Sequence, residues 1–182
     1  SATIKPSALT SLFRADLRRL INNEQFADVT FIVEGKPLHA HRAFLAVRCD
    51  HFRAMFSSGM KEAHQMEVTI PSTRWLIFLA LLEYCYTDSV DVTPEIAIEL
   101  SIAADLYTLE RLRGLCEVIV QKQISTENAA ALLQIADDTH ATRIREVCLR
   151  FTVRDFDNVS RSESFQSLSR SLILEVLQNR VS

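Results

Sequence analysis

One stretch restricts the possible folds more than any other. Val29, Phe31 and Val33 alternate with Thr30, Ile32 and Glu34, and beyond Glu34 and Gly35 the chain resumes at Lys36 to His39. Period-two alternation on both sides of a Glu-Gly turn predicts a short β-hairpin. Pro37 has no amide hydrogen to donate, so the second strand should have a free edge nearby. From Ala40 to Phe56 apolar residues recur at helical spacing, and the amphipathic segment stops at Ser57, Ser58 and Gly59. Glu67 to Ile70 alternates again and predicts a strand. Trp75 to Tyr86 predicts an apolar helix between Pro71 and the turn formers Thr87 and Asp88. Pro94 suits the first turn of a helix reaching Tyr107, and another helix follows from Leu109 to about Gln123. Residues 1–123 therefore read as α+β, a few short strands covered by helices.

Beyond Ser125 the strand signal disappears. Ser125 or Thr126 is placed to cap a helix carrying Ala130, Leu133 and Ala136. Ala141 to Val153 predicts a second helix with Ile144, Val147, Cys148 and Phe151 inward, and Leu168 with Leu172 to Leu177 supplies a last apolar segment. Residues 124–182 thus form an all-α extension. No repeat or Gly/Ser linker separates it from the first part, so the two are expected to pack together. At the other end, Leu9, Leu12, Phe13, Leu17, Leu20 and Ile21 repeat with helical spacing and give one apolar face in need of a surface.

Composition narrows the function classes. With 182 residues, 48% of them hydrophobic, the chain can bury a sizeable core. No apolar run approaches the roughly 20 residues that span a bilayer, and no signal-peptide pattern opens the chain. Four cysteines, Cys49, Cys85, Cys116 and Cys148, sit among apolar neighbours, which suits reduced core thiols and a cytoplasmic or nuclear compartment. A net charge of -3 with scattered Lys and Arg argues against direct nucleic-acid binding. Three glycines, Gly35, Gly59 and Gly114, are too few and too far apart for a phosphate-cradling loop.

Catalytic and metal constellations are weak. His39, His41, Cys49 and His51 lack the paired spacing of zinc-finger ligands, and no cofactor site is expected. No Ser lies in a Gly-flanked elbow, and no Cys has a His beside it in a recognisable pattern. Glu62 and His64 are not marked by any cleft. Asp137 and Asp138 are adjacent, so on a helix they point about 100° apart and read as solvated helix-end carboxylates. A different pattern carries more weight. Met60, Lys61 and Glu62 lie on the connection between the Phe56 helix and the Glu67 strand, where a thioether can enter an apolar pocket on a partner while Glu62 accepts hydrogen bonds at the rim.

FADVTFIVEGKPLHAHRAFLAVRCDHFRAMF (26–56), LLEYCYTDSV (81–90) and AADLYTLERLRGLCE (103–117) together resemble a BTB (POZ) domain. The stretch from Ile124 to Val159 resembles the BACK or 3-box helices that follow BTB domains in cullin-3 adaptors. The resemblance implies a BTB fold over residues 1–123 and a partial BACK-like extension over 124–182. A hydrophobic residue, any residue and Glu form the family's cullin-binding motif, matched here by Met60, Lys61 and Glu62, with Phe56 in support and Tyr107 on the same face. It further implies a homodimer through Leu9, Leu12, Phe13, Leu17 and Leu20. A buried Asp28 near Arg42 would be a structural charged pair.

On this resemblance the chain is the non-catalytic, cullin-3-binding part of a ubiquitin-ligase adaptor. Cullin-3 would bind through its N-terminal region, and the substrate would be recruited by a domain missing from this chain. Kelch, MATH, RCC1-like and ankyrin repeats all occur beside BTB domains. The alternative is a BTB module used for self-association alone, as in scaffold proteins or transcriptional regulators.

Overall fold

The structure is a computed structural model describing residues 9–57 and 65–181, with side chains from Leu12 to Arg180. By its internal contacts the chain divides into two compact units. One runs to Asp91 and includes Leu106–Leu109; the other comprises Val92–Asp105 and the chain from Glu110 onward.

The first unit opens with α1 (Leu9–Arg18) and continues into the hairpin β1 (Val29–Val33) and β2 (Lys36–Ala40). Glu34 and Gly35 have φ of 50° and 72°, the pair of left-handed residues that a tight two-residue hairpin requires. β3 (Glu67–Ile70) pairs parallel to β1, from Thr30 opposite Glu67 to Val33 opposite Ile70. The strand order is β2-β1-β3, so Pro37 does lie on an edge strand. Phe31 and Leu38 in the hairpin are fully buried, as are Val33 and Ala40.

The predicted continuous helix from Ala40 to Phe56 is two helices, α2 (Arg42–Arg48) and α3 (Asp50–Ser57). Cys49 between them is extended, at φ -143° and ψ 120°. Two contacts compensate for the break. The buried Cys49 thiol lies 3.4 Å from the Tyr107 carbonyl, and Arg53 Nε donates to the Ala46 carbonyl at 2.9 Å, satisfying an acceptor at the end of α2.

α4 (Trp75–Thr87) is buried over most of its circumference. Its ends are capped by residues remote in sequence. Glu34 Oε2 accepts from the Trp75 amide at 2.9 Å. Arg48 Nε donates to the Cys85 carbonyl at 2.9 Å, and its Nη2 pairs with Asp88 at 2.8 Å. A carboxylate at the N-terminus and a guanidinium at the C-terminus both suit the helix dipole.

The second unit contains most of α5 (Pro94–Leu106), then α6 (Glu110–Gln123), α7 (Ala129–Asp138), α8 (Thr142–Arg154), the short α9 (Phe156–Val159) and α10 (Glu163–Gln166), and α11 (Arg170–Val181). α7 starts later than a Ser125 or Thr126 cap predicts. Asn128 precedes it, and its Oδ1 accepts from the Ser125 amide at 2.7 Å, so its side chain ties down the preceding turn. α7 and α8 pack as a pair through Leu132, Leu133, Ala136, Ile144 and Cys148. Val147 and Phe151 are only half-buried, whereas Thr152 is fully buried. Asp137 is no freely solvated carboxylate. Arg145 Nε donates to it at 2.6 Å while the other two guanidinium nitrogens grip Glu175 of α11.

Candidate functional site

Met60, Lys61 and Glu62 lie outside the described residues. The elements on either side of them build a groove of about 440 Å³. His51, Ala54 and Met55 of α3 make one wall; Val68, Thr69 and Ile70 of β3, continuing into Pro71 and Thr73, make the other; Leu106 and Tyr107 close the end. Each wall follows from its local pattern. The alternation in β3 buries Val68 and Ile70 against the first unit's core, and one face of α3 buries Phe52.

Tyr107 is 3% exposed. Its ring lies 4.6 Å from His51, 5.1 Å from Phe52 and 5.9 Å from Phe78, centroid to centroid, so it lines the groove from within the core and does not stand on an open face. Phe56 is half-buried and stacks on Phe52, with centroids 6.0 Å apart and planes inclined by 12°. Phe31, Phe52, Phe56, Phe78 and Tyr107 thus form one aromatic cluster under α3. Burial pushes the Tyr107 hydroxyl above the ordinary tyrosine range, so it stays protonated and uncharged. Apolar walls with a few hydroxyls and one imidazole suit apolar side chains of a partner; the described lining residues include no cysteine or serine.

Asp28 differs from expectation, being exposed rather than buried. It immediately precedes β1, the central strand, and its amide donates to the Ala40 carbonyl at 3.1 Å. Contact with Arg42 runs through the backbone on both sides. Asp28 Oδ1 accepts from the Arg42 amide at 2.7 Å, and Arg42 Nε donates to the Asp28 carbonyl at 3.2 Å. Asp28 therefore acts as a remote cap on α2.

The N-terminal stripe is divided. Leu17 and Leu20 are half-buried and α1 lies against α4, where Arg18 pairs with Glu83. Leu12 and Phe13 are 59% and 65% exposed, while Leu9 contributes backbone to α1. The His/Cys constellation is dispersed among other partners. His39 Nδ1 meets Thr30 Oγ1 at 3.1 Å, His41 Nδ1 meets the Tyr86 hydroxyl at 2.8 Å, and His51 faces Tyr107. All four cysteines are buried free thiols. No helix among the described residues is long and apolar enough to cross a membrane.

Sequence reasoning missed Ala54, Met55 and the β3 wall. The strand alternation was a usable signal for Val68 and Ile70, but the groove exists only once β3 is set parallel to β1.

The BTB/POZ domain model matches residues 17–124. The chain belongs to the BTB/POZ family. A second model, BACK (BTB And C-terminal Kelch), matches residues 129–180, so this BTB domain is followed by a BACK segment. Similar curated proteins include the Arabidopsis thaliana "ARM repeat protein interacting with ABF2", 36% identical over 86% of this chain and 22% of that protein. The Homo sapiens leucine-zipper-like transcriptional regulator 1 is 32% identical over 87% of this chain and 19% of its own length. The chain thus spans about a fifth of these relatives. Among solved structures, the BTB domain of zebrafish PATZ1 aligns with a TM-score of 0.53 at 22% identity, over 68% of this chain and 100% of its own. That of human gigaxonin aligns at 0.51 and 19%, over 64% and 93%. These likenesses show the BTB fold, and the BTB-BACK pairing makes this a protein-interaction module.

Proposed function

We propose that this BTB-BACK chain is the homodimeric, cullin-3-binding part of a ubiquitin-ligase adaptor, without catalysis of its own. The observation that carries the reading is the apolar groove between α3 and β3, because the segment joining those two elements carries Met60, Lys61 and Glu62. Met60 would enter an apolar pocket of cullin-3's N-terminal region and Glu62 would accept hydrogen bonds at its rim. The exposed Leu106 at the end of the groove would add apolar contact, with Phe56 and Tyr107 supporting the walls from inside. Substrate would be recruited by a part of the protein outside these residues. The Arabidopsis relative is named as an ARM repeat protein, which adds an ARM-repeat segment to the candidates.

Calorimetry against the cullin-3 N-terminal region tests this. Met60→Ala with Glu62→Ala should cost about 2 kcal/mol or more, roughly thirtyfold in affinity, with melting temperature and oligomeric state unchanged. Failure of the wild type to bind at tens of micromolar, or equal binding by the double variant, would remove the cullin reading. Self-association without cullin would then be favoured, a second reading supported by the exposed Leu12 and Phe13 and by a relative named as a transcriptional regulator.

A further inference from the structure

The chain leaves α3 at Ser57 and is described again from Gln65, just ahead of β3, and one side chain touches both sides of that interval. The Arg42 guanidinium donates through Nη2 to the Gln65 carbonyl, and its Cζ sits 4.8 Å above the Phe56 ring. Its Nε also donates to the Asp28 carbonyl, while the Arg42 amide is held by Asp28 Oδ1. Asp28 is itself fixed to the end of β2 through Ala40. A single planar cation thus joins the C-terminal turn of α3 to the entry of β3 and ties both to the hairpin.

From these contacts we infer that Arg42 is a positioning residue for the interaction groove, setting the separation of its α3 and β3 walls without lining it. Met55 and Ala54 of the first wall lie within one turn of Phe56. The second wall begins with Val68, three residues after Gln65, and the Thr30 amide bonds the intervening Met66 carbonyl at 2.7 Å. Displacement of either end therefore changes the width of the groove. The chemistry requires arginine. Its fork reaches two carbonyls in different directions while its face covers a ring, whereas a lysine ammonium is a point charge that satisfies one of these contacts at a time. The interaction affected is the cullin contact proposed above, so the consequence for affinity rests on that reading; the geometry of the clamp does not.

The test compares wild type, Arg42→Lys and Arg42→Met in the full chain by amide hydrogen exchange, melting temperature and affinity for the cullin-3 N-terminal region. Exchange should rise at 54–57 and 65–70 in both variants and stay level in α4 and at the hairpin turn. Affinity should fall roughly tenfold, the size expected for losing a charge-assisted hydrogen bond, with Lys failing to rescue it. If wild type binds cullin-3 and Arg42→Lys matches it in both exchange and affinity, the clamp is refuted and the adaptor reading stands. If the walls loosen but wild type does not bind, the adaptor reading fails and the clamp stands. Exchange rising evenly through the first unit with a matching loss of melting temperature would make Arg42 a general fold residue and overturn the inference.

Discussion

Replacing Arg145 by Met should unfasten α11 from the α7-α8 pair. Met keeps most of the aliphatic stem and removes the fork, which makes three charge-assisted hydrogen bonds: Nε to Asp137 at 2.6 Å, Nη1 to Glu175 at 3.0 Å and Nη2 to Glu175 at 2.5 Å. Glu175 first and Asp137 second hold this guanidinium above the ordinary arginine range, so it remains charged at any working pH. Taken at face value, such bonds are worth about 1.5–3 kcal/mol each. The three side chains are 26%, 36% and 33% exposed, so solvent screening reduces each to about 1 kcal/mol or less. Two carboxylates left without their shared cation add a smaller repulsive cost, and the expected total is about 2–3 kcal/mol. Urea unfolding followed by circular dichroism measures it, and a double-mutant cycle with Glu175→Gln should return a coupling of about 1 kcal/mol. The cost should shrink in 1 M salt, where screening extends over about 3 Å. A loss below about 0.5 kcal/mol with no coupling would show these groups to be ordinary solvated surface, and the Arg145 contacts would have no energetic meaning.

Two further outcomes are expected. Burial pushes the Cys116 and Cys148 thiols from 9.0 up to about 12, so the folded state retains protons that the unfolded chain releases. Their contribution is fully present below pH 9 and declines towards pH 12 by about 1.4 kcal/mol per thiol per pH unit. Cys148→Ala should flatten the alkaline slope of stability by that amount, and an unchanged slope would contradict it. Leu12→Asp with Phe13→Asp should convert a dimer to monomer or aggregate, because the two exposed side chains supply the apolar area α1 leaves uncovered; light scattering giving a monomer for both proteins would refute dimerisation through α1.

What was legible in the residues was local. The hairpin, β3 and the helices α4 to α6 each carry a period, a turn former or a proline within their own few residues. The division of α2 from α3 is not of that kind. Apolar spacing continues across Cys49, and the extended residue there meets the Tyr107 carbonyl, far along the chain, while Arg53 reaches back to Ala46. The same holds for the ends of α4, whose caps come from Glu34 and Arg48, and for Asp137, whose partner Arg145 lies on the next helix. Asp28 is exposed rather than buried and its carboxylate meets the Arg42 amide, because what covers the start of β1 is set by parts of the chain far from it in sequence. The residues of the candidate motif were visible as a pattern, whereas the groove walls required the parallel register of β1 and β3.

Tyr107 shows why the difference matters for reading an interface. On resemblance alone it belongs to a contact face, yet its ring is enclosed by His51, Phe52 and Phe78 and its carbonyl meets the Cys49 thiol. Those contacts hold the corner at Leu106 and Tyr107 against α3, at the very position where α3 restarts after its break. A partner in the groove would therefore meet walls whose spacing is set from behind, by an aromatic cluster at one end and the Arg42 guanidinium at the other. Truncating Tyr107 would weaken binding whether or not a partner touches it. Loss of binding in such a variant thus identifies a support, whereas the exposed Leu106, or Met60 and Glu62 of the proposed motif, would report direct contact.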